Sequence, residues 1–589
     1  MWTLLWLCVG ISSIIIFYSI FSTQTNLTVS FNFAYHLNQQ DHETAAIDEV
    51  ALFSTCVLAE FAEDGWTRDV LKQANVNYDP IKKCDEDFQP FTMLGANGAV
   101  WLNPFREGVN GVKCKARSLF HKDDWHYNAS AWVEIGTSAS TVVFNSDFVH
   151  THCVNATNKQ EIVEDFVHLQ MWNVTDKGGA KINVTTMNST TFEEEEEEVD
   201  EKPSVFIIVL DSVANSQALR SLPKTISLLH HEFDAVNLRH VNKVGENSHP
   251  NGIAFLIGKL ITDLDKGIFG MGKEPADWNE THACNRYFDD EPFILKEFTK
   301  VKGYKSLIAE DWARGVFNFP NCHGFEHAPV THYMSNGLFH VDTFFFNFFR
   351  KHKQIQLDKS YVYFMGDHGI RWGPVNDMWI GKREINNPMM FVSVPRHIRE
   401  RINPVLRENS GKLLTSFDIY ASLVDILNEP QLEGNAGPSG LRGNSFFRAL
   451  PPGERSCRTL PIPIRFCLCE WNKTKSENVT VNGEIGNESM KLLNLQLKNL
   501  HMNTACEEYT LNKTIEVKMM DRTDGLAEVV FTVNECGGQF KTIVRARRMA
   551  HGHLNISLAS SDFTRSNSYG KTAECMKARP SLRPLCCCR

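Results

Sequence analysis

The chain has 589 residues, 42% of them hydrophobic and 22% charged, with a formal net charge of −10. That length exceeds what one compact core holds, so two or three folded units are expected, and the ordinary apolar content excludes a chain disordered throughout. The single run Glu193–Glu198 supplies six negative charges, and no long Lys/Arg stripe offers the electrostatic footprint of a nucleic-acid partner.

The first twenty-one residues, MWTLLWLCVGISSIIIFYSIF, carry no charged side chain and are long enough to cross a hydrocarbon core as one helix. They exceed a signal-peptide core and no A-x-A site follows, which favours an uncleaved signal anchor over a cleaved signal peptide. The expected localisation is a single-pass membrane protein with a lumenal or extracellular ectodomain, with secretion as the alternative. Twelve Asn-x-Ser/Thr sequons between Asn26 and Asn555 would be idle in the cytosol. Fifteen of the sixteen cysteines lie beyond the apolar segment, as disulfides in an oxidising compartment would. Fifteen is odd, so at least one thiol is free or intermolecular, and Cys586, Cys587 and Cys588 are the first suspects. A zinc site built on Cys467 and Cys469 or on that triplet is the weaker reading, because the spacing is C-x-C and not paired C-x-x-C.

After a stem over 22–50, residues 51–192 read as a β-rich N-terminal domain. Segments such as AVWLNPF, SAWVEIG and STVVF alternate or cluster β-branched and aromatic residues between Gly, Asn and Asp breaks, with Cys56, Cys84, Cys114 and Cys153 as bounds. The acidic residues 193–203 cannot pack against one another and read as a linker. From 204 to 450 apolar runs alternate with helix-length amphipathic stretches, the pattern of a mostly parallel sheet with helices on both faces. VFIIVL, KSLIA, YVYFM and MMFVSV read as buried strands. Three of them end in acids: Asp211, Glu310 with Asp311, and Asp367 with His368. In open α/β sheets ligands bind just outside the carboxyl ends of the strands, so segments more than 150 positions apart can meet at one rim. Residues 451–589 form a Cys-rich, β-containing region in which TIEVKM, AEVVFTV and KTIVRA read as strands.

Three motifs carry the chemistry. Asp211 follows six apolar residues at a strand terminus, where a carboxylate can hold a cation or cap a helix. In YVYFMGDHGIR a buried strand delivers Asp367 and His368 together, between two glycines, so that both can address one metal. In KVGENSHPNGIAFLIGK, Ser248 stands at the start of an apolar helix, where backbone amides favour a phosphate or sulfate; an ordinary N-cap is the other reading.

In that order and context the three motifs resemble the alkaline phosphatase superfamily of phosphatases, phosphodiesterases, phosphotransferases and sulfatases. Within it the chain resembles the metazoan domain-of-unknown-function family 229, through LDSVANSQALRSLPKT, KVGENSHPN, LIAEDWARGVFNFPNC, NGLFHVDTFFFNFFR, GDHGIRWGPV, NPMMFVSVP and CRTLPIPIRFCLCEW. The resemblance implies an alkaline phosphatase-like α/β fold with a central mixed, mostly parallel sheet. It implies Ser248 as the nucleophile, and Asp211, Asp367, His368 and Ser248 around a divalent metal, with zinc first and calcium or magnesium as alternatives. The substrate would be a small phosphate or sulfate ester, or a glycan or lipid head group bearing one. S-H-P-N lacks the Arg of the C/S-x-P-x-R sulfatase motif, which ranks phosphate above sulfate; a catalytically impaired binding ectodomain is the alternative. Only nine residues separate Cys322 from His332, and Tyr333 stands where the family's T-H-D type motif has an acid, so a second metal site looks incomplete. His332, Asp342 and Arg371 are the candidates for second-site or substrate contacts, each with a surface role as the plainer reading.

Overall fold

The computed structural model describes residues 51–59, 70, 72 and 89–589, except for segments within that last range of which 173–201 and 336–347 are the longest. The apolar N-terminal segment, the stem, Cys84 and nearly all of the acidic linker therefore lie outside the described residues. Among those that are described, no helix is long and apolar enough to cross a membrane.

The N-terminal sheet is built on β1 (Val112–Asp123), β2 (Phe148–Asn155) and β3 (Ile162–Leu169), all antiparallel. In β2, Val149, Thr151 and Cys153 alternate inward, the period-2 pattern of a strand with one buried face. Cys114 and Cys153 are register partners and form a disulfide. The loop after β1 docks this domain on the next one: Asp124 accepts a hydrogen bond from the Phe325 amide at 2.9 Å, and the Trp125 indole donates to the Cys322 carbonyl at 2.8 Å.

The central domain holds β4 (Val205–Leu210), β5 (Val236–Asn237), β6 (Val241–Asn242), β7 (Leu307–Glu310), β8 (His332–Ser335), β9 (Tyr361–Gly366), β10 (Met390–Ser393) and β11 (Leu414–Thr415). Its main sheet has the order β5-β10-β9-β4. β9 is buried along its whole length because its two faces enter different cores. Tyr361, Tyr363 and Met365 meet one side; Val362 and Phe364 meet the other. On the second side lie α1 (Asn215–Ser221) and α2 (Pro223–Phe233), which contribute Ala218, Ile226, Leu229 and Phe233. On the first lie α3 (Ser248–Leu256) and, beyond the short helix α4 (Gly381–Asn386), α5 (Ser416–Asn428). α5 starts in a Thr415/Asp418 capping box directly after β11, which pairs with β6.

Two expectations are corrected here. Only β4 and β9 pair in parallel; β9–β10 and β10–β5 are antiparallel, so among the described residues the main sheet is not mostly parallel. A strand buried on both faces reads as a continuous apolar run whichever way its neighbour points, so the sequence pattern carries no direction. β7, the KSLIA strand, alternates between exposed and half-buried and pairs in parallel with β8 in a separate two-stranded sheet.

In the C-terminal region α6 (Val479–Asn499) packs Ile485, Met490, Leu493 and Leu497 on an antiparallel sheet of β12 (Leu511–Met520), β13 (Leu526–Val533) and β14 (Gln539–Arg548). The cysteine triplet is fully paired: Cys586 with Cys506, Cys587 with Cys536 and Cys588 with Cys575. Cys457 pairs with Cys467 and Cys469 with Cys56, so the suspected free thiols and the zinc reading of these cysteines are both replaced by disulfides. Fourteen cysteines are bridged among the described residues; Cys8 and Cys84 lie outside them. The Cys457–Trp471 arm lies between the two larger domains, with Phe53 packed edge-on against both Phe269 and Trp471.

Candidate metal and nucleophile site

Parallel pairing of β4 and β9 runs in register from Val205↔Tyr361 to Leu210↔Gly366, so the chain leaves both strands side by side at Asp211 and Asp367. Ser212 takes a left-handed backbone with φ 61°, which turns its N–H onto Asp367 Oδ1 at 3.1 Å while its hydroxyl donates to Asp211 Oδ1 at 2.9 Å. A non-glycine residue in that region is uncommon and marks a position held by its surroundings. Asp367 and His368 are buried, and Asp211 is 75% exposed. Gly369 admits no side chain: a Cβ there would stand 1.9 Å from the Glu384 carbonyl oxygen, so the turn is pressed directly on α4.

His368 Nδ1 lies 2.8 Å from the Gly369 carbonyl, which fixes that nitrogen as the N–H donor. Nε2 then faces Asp211 Oδ1 at 3.5 Å and Asp367 Oδ2 at 3.4 Å. A ring nitrogen and two carboxylate oxygens gathered this closely call for a cation or a proton among them. The separations suit a cation, since two donors about 2 Å from a tetrahedral ion lie roughly 3.3 Å apart. Each of the three residues offers a ligand atom within 4.8 Å of the others. The donor set therefore fits a divalent metal, and imidazole with carboxylates suits zinc.

The Ser248 loop is closed by Asn251. Its fully buried amide accepts from Val244 N at 2.8 Å and Gly245 N at 3.1 Å, and donates to the Gly245 and Asn247 carbonyls at 3.0 and 2.9 Å. Gly245 is pressed on the Pro250 ring, where a Cβ would lie 2.3 Å from ring carbons. The helix cap is Asn247, whose side chain accepts from His249 N at 3.2 Å, so Ser248 is not the N-cap. Its hydroxyl is half-buried and has no hydrogen-bond partner among the described residues. Burial pushes the His249 imidazole down to about 4, so it stays neutral, with Nδ1 2.7 Å from the Val316 carbonyl.

What gathers these motifs is Glu384–Met389, a segment marked in the sequence only at its end, where NPMMFVSVP begins. The Ile385 carbonyl accepts from Gly369 N at 3.1 Å, Asn386 from Lys243 N at 3.0 Å, and Asn387 from Asn215 N at 2.9 Å. The Asn387 amide donates to the Val241 carbonyl at 2.9 Å, and Met389 N donates to Val213 at 3.0 Å. The Asp211, Ser248 and Asp367 segments thus hang from one stretch of backbone. Glu384, buried on α4, is gripped by both guanidinium nitrogens of Arg220 on α1 at 2.7 and 2.9 Å.

The second-site candidates separate. His332 lies 2.9 Å from Asp147 of the N-terminal domain, an interdomain contact and not a ligand set. Tyr333 is half-buried against Asp124, and its hydroxyl is held well above the ordinary phenol range by desolvation first and then by Asp124 and Glu310. Glu310 accepts from Val316 N at 2.8 Å, while Asp311 and Asp342 lie outside the described residues. Arg371 is half-buried, and its charge acts on Lys243 and Tyr569.

These features define a mixed α/β protein with a carboxylate–imidazole cluster at the edge of its main sheet. The chain belongs to the family described as "Protein of unknown function (DUF229)", whose model matches residues 80–339 and 335–515. None of the curated proteins compared with it matches.

Proposed function

We propose that this protein is a metal-dependent hydrolase or transferase of phosphate esters, placed in the alkaline phosphatase superfamily and working at the cell surface or in the secretory lumen. The observation that carries the reading is His368 Nε2 gathered with two carboxylates, all within 4.8 Å of one another, while Nδ1 is committed to the Gly369 carbonyl. Asp211, Asp367, His368 and Ser248 would hold the ion, zinc first and calcium or magnesium otherwise. Bound there, it would supply a Lewis acid that lowers the pKa of the serine hydroxyl and balances charge on the phosphoryl oxygens. Ser248 Oγ attacks phosphorus and the bond to the leaving alcohol breaks, the alcohol departing with a proton. Water or an acceptor hydroxyl then attacks the serine ester and restores Ser248. The uncommitted hydroxyl at the first turn of α3 supports that role, since helix N-terminal amides favour the anionic group. Seven disulfides support an oxidising compartment, with the ectodomain either tethered by the N-terminal segment or secreted.

A second reading, a binding ectodomain without turnover, is favoured by one observation: His332 and Tyr333 are taken up in contacts with the N-terminal domain. The test is release of nitrophenol from phosphate mono- and diesters and from nitrophenyl sulfate by the purified ectodomain. Turnover of a phosphate ester is expected to fall by at least about 10³-fold in Ser248→Ala, with metal still held by Asp211, Asp367 and His368. Metal-replete protein inert toward all three esters would leave only the binding reading.

A further inference from the structure

Lys243, five residues before Ser248, has a side chain that its surroundings do not explain. It is fully buried, and its ammonium group has no hydrogen-bond partner among the described residues. The group stands 4.5 Å from the centroid of the Phe466 ring, which also carries the Arg465 guanidinium at 4.6 Å. Both come from the Cys457–Trp471 arm, which is fastened to the nucleophile segment: Asn242 donates to the Phe466 carbonyl at 2.9 Å and accepts from Leu468 N at 2.9 Å. The charges that act on Lys243 are Glu246, Arg371, Arg465 and the metal-site carboxylate Asp367. An aromatic face offsets part of the cost of a buried ammonium, but a cation sealed in without an acceptor is ordinarily neutralised or paired.

We propose that Lys243, with Arg371 and Arg465, forms a wall that receives the non-bridging oxygens of the transferred group and makes the site selective for phosphate monoester dianions. This rests on the phosphate-ester reading above and narrows its substrate class. The electrostatics support it: the metal-site carboxylate Asp367 and the cations Arg371 and Arg465 all act on the Lys243 ammonium, so the buried charge lies within electrostatic reach of the metal-site residues. A phosphate monoester brings two negative charges near neutral pH, whereas a phosphate diester or sulfate monoester brings one. Burial lowers the Lys243 ammonium only to about 8, so it is still mainly charged at neutral pH. Tyr569, on which Arg371 and Glu246 also act, brings the C-terminal region to the same wall.

The test uses the zinc-loaded full ectodomain and Lys243→Met, which keeps the bulk of the side chain and removes its charge. Inorganic phosphate binding is measured by calorimetry at pH 7, beside kcat/KM for nitrophenyl phosphate, its bis-nitrophenyl diester and nitrophenyl sulfate. Phosphate affinity is expected to fall by at least about tenfold, and the preference for monoester over diester by about the same factor, with zinc retained. Unchanged phosphate affinity in Lys243→Met, or no phosphate binding by the parent protein, overturns the proposal. Phosphate binding that depends on Lys243 in a protein inert toward every ester keeps the oxyanion wall and sinks the enzymatic reading instead. Should Lys243→Met not fold, Arg371→Gln reads the same wall, with the same loss expected and an unchanged affinity counting against it.

Discussion

Asn251 is where the positioning argument can be tested most directly, because its carboxamide touches the loop that carries Ser248 and not the chemistry itself. Asn251→Ala removes four hydrogen bonds of 2.8–3.1 Å and leaves the Val244 and Gly245 amides buried without an acceptor. An unsatisfied buried donor costs about 1–3 kcal/mol and a lost neutral hydrogen bond about 1 kcal/mol. The substitution is therefore expected to destabilise the central domain by about 3–5 kcal/mol, read as a shift of the urea midpoint at unchanged slope. Any ester turnover should fall together with it, because Ser248 Oγ loses its fixed position at the start of α3. Asn251→Asp keeps the acceptor oxygen but loses both donated bonds and buries a charge, so it should recover little. A loss below about 1 kcal/mol with turnover intact would refute the claim that this amide holds the loop.

Further outcomes can be checked independently. Glu384→Gln removes the buried charge that pairs with Arg220 and is expected to cost about 3–5 kcal/mol in denaturant titrations, with weakened zinc retention. Burial drives the Glu528 carboxyl upward, but Lys541 and Lys473 outweigh it and bring it from its ordinary 4.5 down to about 2. A depressed carboxyl stabilises the fold above its unfolded pKa and loses that contribution as pH falls, here between about 4.5 and 2. The C-terminal region should lose about 3 kcal/mol across that window, and Glu528→Gln should flatten the profile. Asp124 behaves oppositely: burial raises its carboxyl to about 7, so its contribution is full below about 4 and is lost as pH rises through 7. Docking of the N-terminal domain should therefore tighten on acidification, and Asp124→Asn should remove the dependence, followed by limited proteolysis across pH.

The acids at strand ends were legible in advance, because an apolar run followed by a charge marks where a buried strand meets solvent. Asp211, Asp367 and His368, about 156 positions apart along the chain, do meet at one rim. Strand direction was not legible, since burial on both faces erases the alternation that would distinguish one geometry from another. Nor was the role of Asn386 and Asn387, which act largely through backbone carbonyls, and a carbonyl leaves no mark on composition. Asn251 did sit within the quoted S-H-P-N motif, but its task, four bonds back into the preceding loop, depends on a turn visible only in three dimensions. The C-terminal cysteines misled because adjacency suggests crowding. In the fold each sulfur leaves the chain toward a different partner.

The bridge between Cys56 and Cys469 spans 413 residues. A ribosome adding 5–20 residues each second needs roughly 20–80 s to deliver the second cysteine after the first. During that interval the early thiol is exposed to every other cysteine that emerges, so its correct pairing depends on oxidoreductases that hold or reshuffle it. The arm that touches Lys243 and the nucleophile segment is consequently locked only after the whole central domain has emerged, and maturation of the site waits on residues well beyond it.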